Sequence, residues 1–219
     1  MKLALFSAGV LALALAWLGP LASLAPGPFS AHMMMHMGVV ALAAPLLALG
    51  LGATRYDPVA RFPRVFAPIP ASIVELIAVW GWHAPALHHF ARHTALGLAL
   101  EQATFLLSGL WVWLAAFGGA GPARAERAAQ GGVALLLTSM HMTLLGALLA
   151  LPPRALYAAH AHAGHAHDSA LGPLEDQHLG GAIMLTAGGI AYLAGGLALA
   201  IEILRRRVRA AASNGGWSR

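Results

Sequence analysis

Residues 32–37 read His-Met-Met-Met-His-Met, six consecutive side chains of the kind that ligate soft or borderline metal ions. His32 pairs with His36, and Met33 with Met37, at a spacing of four, so each pair shares a face if the segment is helical. Imidazole and thioether donors together suit copper, Cu(I) in particular. The competing reading makes methionine a flexible filler of core space and histidine a polar cap at a membrane interface. The chain has no cysteine, so it has no disulfides and no thiolate ligands, and any soft-metal site must use Met and His.

The elements that must position these residues are apolar. Of 219 residues, 59% are hydrophobic and only 10% charged, against about 25% charged in ordinary soluble domains. Apolar runs of membrane-spanning length recur, and the reading is an all-α, multi-pass membrane protein. Residues 1–219 form a single integral membrane domain, a bundle of about six transmembrane helices at about 3–24, 31–53, 72–91, 95–117, 131–151 and 178–204. The first run, with Lys2 ahead of it, also fits a signal peptide cut after Ala25, but Pro26 disfavours that cut and the expectation is a retained helix. Ser30 is the expected N-cap of the second helix. Ser72 and Glu75 read as a capping box opening the third, which would account for Glu75 without function. The longest loop, 152–177, carries His160, His162, His165 and His167.

With both termini cytoplasmic, eleven of the thirteen Lys and Arg residues fall inside, leaving only Arg92 and Arg154 outside. The +5 net charge therefore records loop sidedness, and the terminal Arg205, Arg206, Arg207 and Arg209 read as an anchor near anionic lipid, with no call for nucleic acid. The same topology sorts the twelve histidines, none of which lies in a cytoplasmic segment. His32, His36, His88, His89, His93 and His178 sit at or near outer helix ends. His83 and His141 lie about 15 Å from the cytoplasmic starts of their expected helices. Glu101 lies roughly 9 Å below the outer end of its own. Ionisable groups in spanning helices are costly and face a cavity or one another, so these residues suggest a polar funnel open to the outside. Met140, Met142 and Met184 run beside it. Two simpler readings stand beside this one: His83 satisfies a backbone kinked by Pro85, and His141 hydrogen-bonds a neighbouring helix. Gly180-Gly181, Gly188-Gly189 and Gly195-Gly196 let helices approach closely.

No nucleophile–base pair, nucleotide-binding glycine loop or zinc-protease motif is present, and the expectation is that the chain is not an enzyme.

Several blocks together resemble the multi-pass CtaG family of caa-type cytochrome c oxidase assembly proteins. They are His32 to His36 at the head of a helix, Trp82-His83-Ala84-Pro85, and Leu100-Glu101 running through Phe105 and Gly109 to Trp113. Further on come Met142-Thr143-Leu144-Leu145-Gly146-Ala147, Leu156-Tyr157, and Asp176-Gln177-His178-Leu179-Gly180-Gly181 with Met184. The resemblance spans about 30–205. It implies a bacterial cytoplasmic-membrane protein needed to assemble active oxidase at the step of copper insertion. This chain departs from the pattern at Gln102, where many members have histidine, and at Leu185, where an aromatic residue is common.

The combined expectation is an assembly factor that accepts copper on the outer face and helps deliver it to an oxidase subunit. The candidate metal ligands are His32, His36, Met33, Met37, His83, Glu101, His141, Asp176 and His178. The expected partners are membrane lipid, cytochrome c oxidase subunits and a periplasmic copper chaperone. Binding to neutral imidazole would weaken as pH falls through about 6.5. Two rivals remain. A haem-binding electron carrier would use paired histidines, although a two-haem path would need them on both sides. A metal or proton permease would need a polar route below His83 and His141, where the helices are nearly all apolar.

Overall fold

The computed structural model describes residues 1–24, 27–157 and 171–214. Among them the structure is helical, without strands. Five stretches are long and apolar enough to cross a membrane: Lys2–Leu24, Phe29–Leu51, Ala95–Phe117, Arg124–Ala150 and Pro173–Ala212. Large apolar side chains on their outer faces are exposed, including Leu11, Leu107, Met140, Leu144, Ile190 and Leu197. An apolar exterior around a core that holds buried polar groups is the pattern of a multi-pass membrane protein.

The first stretch comprises α1 (Lys2–Leu18) and α2 (Pro20–Leu24). The second starts as α3 (Phe29–Met37), widens into a π turn over Gly38–Ala43 and resumes as α4 (Ala44–Leu51). Pro45 is the cause. Its nitrogen has no hydrogen to give to a preceding carbonyl, and a π turn takes up the mismatch. Within that turn the Ala44 amide bonds the carbonyl of Val39, five residues back. The Val40 carbonyl would then fall to Pro45, which cannot donate, and it accepts instead from Trp113 Nε1 at 3.2 Å.

The third expected segment differs most from its sequence reading. Instead of one helix over 72–91 there are two, α6 (Pro68–His83) and α7 (Pro85–His93), after a short α5 (Pro58–Arg61). The break is Ala84, held extended at ψ 134° because the following Pro85 disfavours helical geometry there. The helix also begins four residues before the expected capping box. Ser72 therefore lies inside α6, bonded to Thr138 at 2.9 Å, and Glu75 is a fully buried mid-helix carboxyl. The remaining helices are α8 (Ala95–Phe117), α9 (Arg124–Ala150) and α10 (Pro173–Asn214). Both α9 and α10 extend well beyond the expected 131–151 and 178–204.

The closest helix pair is α9 with α10. A Cβ on Gly146 would come within 2.7 Å of the Leu185 amide, and one on Gly181 within 2.5 Å of the Ala150 amide. Glycine at both positions lets the two backbones touch.

One end of the bundle collects arginines and ties its loops together. Arg124 holds Glu202 through two bonds of 3.0 and 2.6 Å, and Arg206 joins them at 2.9 Å. Arg127 donates to the Phe66 carbonyl at 2.7 Å, and Lys2 to that of Leu49 at 2.8 Å. Asp57 accepts from the amides of Ala53, Val59 and Gly119 at 2.7–2.9 Å. The opposite end holds His32, His88, His93 and His178.

Candidate metal centre

α3 carries its two side-chain pairs on different faces. Met33 and Met37 pack toward α10, where they approach Gly180 and Gly188. His32 and His36 turn toward α6, α7 and α8, with near-parallel rings whose centroids are 6.3 Å apart. His83, at the last position of α6, lies 5.5 Å from His32 and 5.3 Å from His36. His88, one turn into α7, lies 5.0 Å from His32. All four are buried. The break at Ala84 brings this about, because it lets His83 and His88 approach the same face of α3 from two helices.

The floor of this chamber is Phe105 of α8, which packs 3.9 Å from the His36 ring. Its roof is Phe29, stacked on Tyr157 at 4.5 Å and lying 5.9 Å from His32. Tyr157 donates to the His83 carbonyl at 2.7 Å, and burial raises its hydroxyl above the ordinary tyrosine range, which keeps the donor protonated.

Along one wall, Arg92 of α7 donates to Glu101 Oε2, forming a buried ion pair. Gln102 Nε2 also donates to that oxygen at 3.1 Å, and His32 Nδ1 lies 3.7 Å from it. Gln102 in turn accepts from Trp17 Nε1 of α1 at 2.9 Å. The Gln102 amide thus helps to orient the Glu101 carboxylate.

Most polar atoms facing inward have no partner. His32 Nδ1 and Nε2, His36 Nδ1 and Nε2, His83 Nε2 and Glu101 Oε1 are buried without a hydrogen bond. A native protein satisfies nearly all its buried polar atoms, and exceptions call for a bound ion or water. His83 is the most informative. Its Nδ1 lies 2.6 Å from the Val79 carbonyl, which can only accept, so Nδ1 carries the hydrogen and Nε2 presents its lone pair. A backbone carbonyl that fixes the tautomer is the usual support behind a metal-binding imidazole. The carbonyl that Pro85 leaves without its helical donor is that of Gly81, and it accepts from the Ala84 amide at 3.0 Å, so the His83 ring does not serve it. One atom each from His32, His88 and Glu101 falls within 4.8 Å of the other two, close enough to share one ion.

Of the nine residues singled out from sequence, His32, His36, His83 and Glu101 meet in this chamber, and the other five do not. Met33 and Met37 lie on the far face of α3. Asp176 caps that helix from α10, accepting from the Phe29 amide at 2.6 Å, the Ser30 amide at 3.2 Å and the Ser30 hydroxyl. Ser30 is therefore not the N-cap, and the cap is supplied across the bundle. His178 bonds the Pro152 carbonyl at 2.9 Å. His141, on α9, is buried with both ring nitrogens unpartnered, and its ring is in contact with none of the chamber histidines among the described residues. His160, His162, His165 and His167 lie outside the described residues.

The sequence reading missed His88 and Arg92 as members of the site. His88 was legible only as one of several histidines at a helix end, and nothing in its spacing showed the backbone break that turns it inward.

No curated protein and no solved structure matches the chain. The family model of the cytochrome c oxidase caa3 assembly factors (Caa3_CtaG) matches residues 1–206 of 219, and the chain belongs to that family.

Proposed function

We propose that this assembly factor binds copper in the histidine chamber and passes it to a nascent oxidase subunit on the outer face of the bacterial cytoplasmic membrane. The observation that carries the reading is the set of unpartnered ring nitrogens of His32, His36 and His83 in one buried space. Imidazole is a good donor for copper, and Glu101 Oε1 offers an anionic oxygen beside it. The ion is cargo here. Several neutral imidazoles without a thiolate make a set of moderate donors, which favours transfer over permanent storage. Arg92 neutralises part of the Glu101 charge and so limits how tightly a cation is held.

The histidines lie at the end of the bundle away from the arginine cluster, which under the positive-inside rule faces outward. A copper chaperone or the oxidase subunit would reach the chamber from that side, and lipid covers the exposed apolar flanks. The rings of His32, His36 and His83 pack against one another and against Phe105.

The test is Cu(I) titration of the purified protein against a chromophoric chelator, comparing wild type with His36→Ala and His83→Ala. Each variant is expected to lose one high-affinity equivalent. Unchanged stoichiometry and affinity would overturn the chamber as the binding site. Haem bands in a reduced-minus-oxidised spectrum, or copper uptake into liposomes, would instead assign an electron carrier or a permease. In a strain lacking the protein, oxidase with normal copper content but no activity would exclude metal delivery.

A further inference from the structure

Beneath the chamber lies a second buried polar site that copper binding does not use. Glu75, Val79 and His83 are spaced by four on α6 and share a face, which puts Glu75 about 12 Å below His83 along the helix. Glu75 is fully buried, and its position two turns into α6 removes the capping role. Its Oε1 accepts from the Tyr192 hydroxyl of α10. Its Oε2 has no hydrogen-bond partner. Ser72, one turn before Glu75 on α6, is bonded to Thr138 of α9 at 2.9 Å.

The Tyr192 oxygen also lies 3.4 Å from the Val40 carbonyl, the acceptor that the π turn and Pro45 leave without a backbone donor. That carbonyl is one turn below His36 on the same chain segment. The groups that meet here are a carboxyl, a phenol, nearby hydroxyls, and the Val40 carbonyl with the Trp113 N–H bonded to it at 3.2 Å. Among the described residues no charged side chain bonds or pairs with Glu75. Tyr192 is the titratable group in contact with it. The next ones are His83 two turns up α6, His141 one turn above Thr138 on α9, and His36 one turn above Val40.

We propose that Glu75 is a proton-binding site in the membrane interior, and that the Tyr192 hydroxyl reports its state to the break in the His32–His36 helix. When Glu75 is a carboxylate, the Tyr192 O–H donates to Oε1. When a proton is bound at Oε1, that acid O–H donates to the Tyr192 oxygen, and the Tyr192 hydrogen turns to the Val40 carbonyl, which has a second lone pair beside the one used by Trp113. One proton enters, no heavy-atom bond changes, and each state has an acceptor ready for the phenol. A buried carboxylate with no cation beside it and one oxygen without a donor is costly, and a bound proton removes the charge. The site rests on its own geometry and does not depend on copper in the chamber.

The experiment is an infrared pH titration of the metal-free protein in lipid vesicles. Wild type is expected to show a protonated-carboxyl band that disappears in Glu75→Gln, shifts in Tyr192→Phe and is unmoved by sodium. If Glu75→Gln fails to fold, Tyr192→Phe and wild type carrying carboxyl-labelled glutamate give the same assignment. The proposal is overturned if the band is missing from wild type, persists in Glu75→Gln, ignores Tyr192→Phe, or is abolished by sodium at constant pH. The last result would make the site one for a hard cation. Because no metal is present, failure here leaves the chamber untouched, and failure of copper binding leaves this site untouched.

Discussion

At the arginine-rich end, buried polar atoms are bonded. Asp57 uses both carboxylate oxygens on three amides, and Arg124 spends its guanidinium on Glu202 and on the Ala116 carbonyl at 2.7 Å. At the histidine end, side chains of comparable burial point unpartnered nitrogens at one another. The same helices build both ends, so the difference is not one of packing quality. Satisfied polar groups fix loops in place, and unsatisfied ones cost stability unless something binds to them. The first end is structural, and the second is where the proposed guest would bind.

The largest expected effect tests the structural end. Asp57→Ala removes a cap and strands amides that join 53–59 to Gly119. The expected loss is about 2–4 kcal/mol. Chemical unfolding in detergent would measure it, and copper affinity of the folded fraction should equal that of wild type. A variant that keeps its stability but loses copper would reverse the roles of the two ends.

Asp176 stands on the boundary of the comparison. It belongs to the histidine end by position and to the structural class by bonding, because both its oxygens are used on α3. Asp176→Asn keeps one acceptor and loses the charge at a helix N-terminus, a cost of about 1 kcal/mol. Since α3 carries His32 and His36, copper affinity should fall less than about tenfold while stoichiometry holds. A lost equivalent in the same titration would make Asp176 a ligand.

His36→Leu asks whether the chamber nitrogens are a cost in the empty protein. Leucine can fill the space against Phe105 and brings no unpartnered atoms. The unfolding free energy of metal-free protein should stay level or rise by up to about 1 kcal/mol, even as copper binding is lost. A clear fall would mean that water or neighbouring groups already satisfy the ring, and the contrast between the two ends would narrow.

Helical class, five of the six expected membrane-length segments and the gathering of His32, His36, His83 and His88 were legible in the sequence because they depend on composition and period. Four chamber residues were legible for the same reason: His32 and His36 by spacing, His83 and Glu101 by depth. What local pattern could not supply was the partner of each group. Ser72 and Glu75 fit a capping box, yet the helix starts at Pro68, and the two side chains reach Thr138 and Tyr192, 66 and 117 residues away. Asp176 looked like one more ligand, and only the 147-residue reach to the Phe29 amide shows it to be a cap. The break at Ala84 was foreshadowed by Pro85, but its consequence for His88 is a matter of direction, which a proline in sequence does not specify.

The smallest expected effect concerns the two faces of α3. By ligand chemistry alone Met33 and Met37 are as suited to Cu(I) as the histidines, and their spacing is identical. Geometry separates them: both are buried against the glycines of α10, with Met37 Sδ 3.6 Å from where a Gly188 Cβ would stand, while His32 and His36 face the chamber. Met33→Leu and Met37→Leu exchange side chains of similar volume, so stability should change by less than about 1 kcal/mol. Copper stoichiometry and affinity should be unchanged in the double variant, measured by the same chelator competition. A lost equivalent would mean that α3 rotates on loading, since a fixed helix cannot turn both faces to one ion.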